Sequence, residues 1–145
     1  MTAQRAEIVI VENSRLDLGR LSLRAIIKGD PAQNHGWGDG EYPLPLPPFP
    51  QGSRSCSGLR RGYVGTFVLR EDGAVELRSC CYPFADRAGD RGELHIGKIL
   101  EGDFWLVLSE RFGGPRTFIP VLGGYVVEDR RKWQFDAHLE EGRQS

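Results

Sequence analysis

Lysine, cysteine, methionine and long apolar runs are all scarce in this chain. Three lysines stand beside 16 arginines, with three cysteines and one methionine in 145 residues. Cys56, Cys80 and Cys81 are odd in number and two of them are adjacent, so they build no paired disulfide framework. Neighbouring strand residues point to opposite faces, which sends Cys80 and Cys81 apart. A reducing, cytoplasmic setting fits this usage. Met1 to Arg5 leads into only four consecutive aliphatics, Ile8 to Val11, too short for a signal-peptide core or a membrane span. No Asn-x-Ser/Thr site occurs. Neither sign of charge is in excess: 19 Lys and Arg against 20 Asp and Glu leave a net charge of −1. That balance argues against a dedicated nucleic-acid binder. The scattered arginines fit GC-rich, bacterial codon usage better than an anion-binding surface.

What the chain does contain is enough apolar sequence for one domain. Hydrophobic residues make up 39% of it, which argues against disorder over most of its length. A domain of this size needs no metal or disulfide to hold it together.

Period-2 alternation dominates. Ile8 to Glu12 reads as a short strand, and Glu12-Asn13-Ser14 has turn chemistry. After Gly19, Leu21, Leu23, Ala25 and Ile27 alternate with Ser22, Arg24, Ile26 and Lys28, which predicts a second strand. The clearest hairpin spans 62–82. A two-residue turn at Asp72-Gly73 would set Phe67 against Arg78. A three-residue loop with Gly73 at positive φ sets Leu69 against Val75 and Phe67 against Leu77, gathering the apolar residues on one face. The second register is the expected one. Residues 83–93 read as a polar loop and Leu94 to Leu100 as a weaker strand. Phe104 to Leu108 is apolar on both faces, as in a strand covered on both sides. Thr117 to Leu122 follows, with Pro120 moving it toward an edge. Gly123-Gly124 predicts a two-residue hairpin turn into Tyr125-Val126-Val127. After the charged turn Glu128 to Arg131, Trp133, Phe135, Ala137 and Leu139 share one face of a last strand. The tail from 140 to 145 is expected to fray. About nine strands without a long helix predict an all-β domain over 1–145, an antiparallel meander forming a barrel or a sandwich.

One long Gly/Pro-rich loop, 29–62, breaks this pattern. It holds six of the nine prolines and seven of the 19 glycines. Its first half carries His35, Trp37, Asp39, Glu41 and Tyr42. Its second half, Pro43 to Pro50, predicts an extended polyproline strap that lays Leu44, Leu46 and Phe49 on the sheet.

No motif names a reaction. Pro45-Leu46-Pro47-Pro48 fits PxxP, but no arginine flanks it to fix an orientation. Cys81 and Arg87 have phosphatase spacing, yet Pro83 removes a donor and no glycine lies between them. Cys56 sits near Arg54 and Arg60, which favour a thiolate, but a lone loop cysteine is usually incidental. His35, His95, His138 and the cysteines lack metal-ligand spacing, and the acidic loops lack the EF-hand pattern. His35 beside Asp39 or Glu41 has the residue types for acid–base work; local backbone hydrogen bonding explains them as well. Arg60-Arg61-Gly62-Tyr63 and Arg130-Arg131-Lys132-Trp133 set basic residues beside an aromatic, as single-strand binders do, but both lie at strand entries.

These observations favour a non-enzymatic binding protein. It would hold a small molecule or a protein partner where the 29–62 loop meets the sheet. The expected ligand-binding residues are His35, Trp37, Asp39, Glu41, Tyr42, Tyr63 and Trp105, with Phe67 and Trp133 as further lining. No catalytic residue, metal or other cofactor is expected, and no membrane. The competing readings are an inhibitor or immunity-type interaction factor and a small enzyme using His35 or Cys56. Apolar residues on both faces of two strands also lead us to expect a homodimer.

Overall fold

The computed structural model describes residues 7–29, 31, 64–81, 92–111 and 114–136. Among the described residues, nine strands form one mixed sheet: β1 (Glu7–Val11), β2 (Ser22–Ile27), β3 (Val64–Leu69), β4 (Val75–Cys81), β5 (Leu94–Ile99), β6 (Phe104–Ser109), β7 (Thr117–Leu122), β8 (Tyr125–Val126) and β9 (Gln134–Phe135). Their order is β5-β4-β3-β1-β2-β6-β7-β8, with β9 also pairing with β7. The long Gly/Pro-rich insertion from residue 32 onward, the 83–91 loop and the tail lie outside the described residues.

The local turns behave as their residues require. Asn13 starts a single 3₁₀ turn, Ser14–Leu16, by accepting the Arg15 backbone N–H on its side chain at 3.0 Å. The 70–74 loop closes with the Arg70 N–H donating to the Ala74 carbonyl at 2.9 Å, and Gly73 takes φ +94°. Leu69 therefore faces Val75 and Phe67 faces Leu77, the register that collects apolar side chains. Gly123 and Gly124 take φ +60° and +87°, and Leu122 faces Tyr125 across their turn. Positive φ at both central residues matches the right-handed twist of the flanking strands.

The expected meander is corrected in two respects. β1 runs parallel to β3, Ile8 beside Thr66 through Val11 beside Leu69, so the sheet is mixed rather than antiparallel. It also does not close into a barrel. Its two ends approach through an isolated bridge between Ala74 and Tyr125 and a few backbone hydrogen bonds rather than a paired ladder. The sheet is nevertheless strongly curled, because the Val126 N–H donates to the Gly73 carbonyl and the Gly124 N–H to the Gly102 carbonyl, both at 2.8 Å.

The inner face of the curl holds the main core: Phe67, Leu69, Val75, Leu77, Leu106, Leu108, Ile119, Val121 and Trp133 among others. A smaller cluster of Ala25, Ile27, Val107 and Phe118, with Trp105 against it, occupies the other face. β6 thus buries both faces between β2 and β7, as its unbroken apolar run requires.

β2 departs from simple alternation. Leu23 faces Leu108 but Ala25 faces Val107, so Arg24 is an extra residue, a bulge. The bulge reverses the phase: Leu23 and Ile26 join the main core, while Ala25 and Ile27 join the small cluster. β7 is flanked on both sides, yet Pro120 fits it. The Pro120 carbonyl accepts from the Val127 N–H at 2.9 Å on the side away from β6. A strand residue's N and O point the same way, so the missing N–H costs no bond to β6. Only part of the expected last strand falls within the described residues. A 3₁₀ turn at Arg130–Lys132 precedes Trp133, only Gln134–Phe135 pairs, and Ala137 and Leu139 lie outside the described residues.

Candidate functional site

Two open grooves run along the outer face of β1, β3 and β4. Thr66 lies opposite Ser79 and Val64 opposite Cys81, while Ile8 neighbours Thr66, so these side chains share a face. They line a groove of ≈ 440 Å³ with Ile10 and Glu93. β1 lies inside the sheet, yet Ile8 is 51% and Ile10 41% exposed. An aliphatic pair on an interior strand, left open to water, is an unusual use of apolar surface. At one end the Ser79 hydroxyl donates to the Glu93 carboxylate. Cys81 is half-buried there and Cys80 is buried, and neither is in a disulfide among the described residues.

The second groove, ≈ 630 Å³, is charged and is lined by Glu12, Arg70, Glu71, Asp72, Glu76 and Arg78. A bulge creates part of it: Thr66 faces Ser79 but Phe67 faces Leu77, which leaves Arg78 as the extra residue. Arg78 binds Glu12 at 2.9 Å and Glu76 at 3.2 Å. Its guanidinium is held above the usual arginine range by hydrogen bonds to Glu76 and then Glu12. Arg70 reaches Asp72 at 3.2 Å and Glu76 at 3.7 Å. The nearly buried Glu76 is thereby matched by two cations, as a buried carboxylate requires.

Beside this groove, Arg15 binds Glu128 at 2.7 Å and donates to the Glu71 carbonyl, also at 2.7 Å. That hydrogen bond, with the attraction of the guanidinium, holds the Glu128 carboxyl below the usual carboxylate range. Asn13 is fully buried, and its side chain adds a smaller hydrogen-bonding contribution that lowers the Glu128 pKa further. Because folding lowers the Glu128 pKa, the pair stabilises the fold above the ordinary carboxylate range, and this is lost as pH falls through the folded value. Glu128→Gln therefore lowers the thermal midpoint at neutral pH. The gap from wild type narrows as acid is added, which a midpoint-against-pH series checks. A gap independent of pH would contradict this.

Of the residues expected to bind ligand, only Trp105 is described. It is half-buried, against the small cluster on β2, β6 and β7, and does not line either groove. His35, Trp37, Asp39, Glu41, Tyr42 and Tyr63, together with Cys56, lie outside the described residues. Phe67 and Trp133 are core residues. The groove residues escaped sequence reasoning although one signal was present: Ile8 and Ile10 recur at period 2 on a strand whose alternate residues, Val9 and Val11, already supply a core face. The Arg130 cluster is occupied structurally. The Arg130 guanidinium donates to the Leu16 and Asp17 carbonyls at 2.7 and 2.9 Å and lies 4.9 Å from the Trp133 ring centre, while Arg131 pairs with Asp129.

Among the described residues no group of three or more His, Cys, Asp or Glu is placed to hold a metal, and no helix is long and apolar enough to cross a membrane. No protein-family model matches this chain, and none of the curated proteins or solved structures compared with it does so either.

Proposed function

We propose that this protein is a binding module that holds a small ligand in the apolar groove on the outer face of β1, β3 and β4. The observation that carries this reading is the exposure of Ile8 and Ile10 in the middle of a nine-stranded sheet. Water-exposed aliphatic surface inside a groove gains free energy when a ligand covers it. Polar atoms are few and sit at one end, which suits orientation of a ligand rather than its chemical conversion. Val64, the first described residue after the long insertion, lines the groove. The groove thus adjoins the place where that insertion rejoins the sheet.

The test is a fragment screen on protein labelled at isoleucine methyls. Ligands that occupy the groove shift the Ile8 and Ile10 signals and leave those of the buried Ile26 and Ile119 in place. A diverse library that moves neither methyl would overturn the reading. A protein partner is the second reading, favoured by the hairpin tip, where Leu122 is 59% and Tyr125 57% exposed. A macromolecular footprint would then fall on Leu122 and Tyr125 instead.

A further inference from the structure

The groove's charge indicates which small ligands it takes. Along the outer face of β1, β3 and β4, Glu12, Asp72 and Glu76 each pair with Arg70 or Arg78. Glu93, at the end of the apolar groove, is bonded instead by the Ser79 hydroxyl, and no arginine or lysine pairs with it among the described residues. An ionised carboxylate offers about four acceptor positions, and one hydroxyl uses one of them. The half-buried Thr66 adds a neutral acceptor on the same face, directly opposite the buried Ser79 that anchors Glu93. Beyond them the surface is apolar: Ile8, Ile10 and Val64. One end therefore presents acceptors and a negative charge without a fixed cation among the described residues, and the rest presents aliphatic surface with Cys81 at its border.

We infer that the groove binds compact apolar amines, with the primary ammonium at Glu93 and Thr66 and the hydrocarbon body on Ile8, Ile10 and Val64. An ammonium has three donors on a point charge, which suits a carboxylate supported by a hydroxyl. A carboxylate ligand of the same shape would meet Glu93 as a like charge. A neutral alcohol would keep the apolar contacts and one hydrogen bond to the carboxylate, but lose the ion-pair attraction and two of the three donors. This inference rests on the groove being the binding site.

The experiment titrates isoleucine-methyl-labelled full-length protein with n-hexylamine, 1-hexanol and hexanoate at neutral pH and low salt. Hexylamine should shift the Ile8 and Ile10 methyls saturably and bind about tenfold or more tighter than hexanol, with hexanoate weakest. Glu93→Gln, a change at an exposed residue, should reduce hexylamine affinity about tenfold and hexanol affinity by a clearly smaller factor. Equal binding of amine and alcohol, or full amine affinity in Glu93→Gln, would overturn the inference and leave the groove standing as a binding site. If none of the three probes moves either methyl, the groove assignment fails with it.

Discussion

Replacing Gly124 with valine lowers the thermal midpoint by roughly 10–15 °C, the fall that a loss of about 3–5 kcal/mol produces in a domain of this size. Two separate costs add. Gly124 has φ +87°, where a β-branched residue is strained by about 1–3 kcal/mol. A Cβ there would also stand 2.6 Å from the Leu100 carbonyl oxygen, and that is backbone that cannot swing aside. Relieving the clash means moving the turn away, which breaks the Gly124 N–H bond to the Gly102 carbonyl at 2.8 Å. That bond helps hold the curl of the sheet. Gly73→Val is the internal comparison. It has the same kind of strain, at φ +94°, but its Cβ would meet only the Tyr125 ring at an ordinary 3.5 Å. Its cost should stay near the strain alone, about 1–3 kcal/mol. Denaturant melts of both variants check the ranking, and equal losses would show that the Leu100 contact does not matter.

Trp133→Ala costs about 3–5 kcal/mol, the range for removing a large buried aromatic. Trp133 is 4% exposed and belongs to the main core, although it enters from the end of the described chain. Its indole N–H donates to the Val127 carbonyl at 2.7 Å, and the Arg130 guanidinium covers the ring while bonding the 3₁₀ turn after β1. The side chain therefore joins the last strand, the β8 connection and the first turn of the chain. Trp133→Phe keeps most of the apolar body and removes the N–H, so about 1 kcal/mol should be lost. Equilibrium unfolding of the pair separates packing from hydrogen bonding. A phenylalanine variant as unstable as the alanine one would assign the whole effect to the hydrogen bond.

Strand positions and turns were readable residue by residue. Gly73, Gly123 and Gly124 sit where positive φ is needed, and a loop of defined length leaves only one register that buries Phe67 with Leu77. The double-faced burial of Phe104 to Leu108 was equally legible, because no polar residue interrupts it. The groove was not legible. Its floor uses Ile8 and Ile10, which read as core because hydrophobicity alone does not say whether a second layer exists. Its polar end joins Ser79 on β4 to Glu93 before β5, 14 residues apart, and its neighbour Thr66 comes from another strand. The expected ligand-binding residues were chosen for their chemistry in one loop, and only Trp105 falls within the described residues, on a different part of the sheet.

Taken alone, the amino-acid order determined the β character of this protein and its hairpin turns, since each follows from side-chain periodicity or from a backbone angle that glycine permits. Tertiary structure decided that β1 lies parallel to β3, that Arg24 and Arg78 bulge, and that the sheet curls without closing. A strand's hydrogen-bonding edges are made of backbone and are nearly the same for every residue. Which edges meet is therefore set by how the whole chain best covers Phe67, Leu106, Ile119 and Trp133, and no local stretch carries that information.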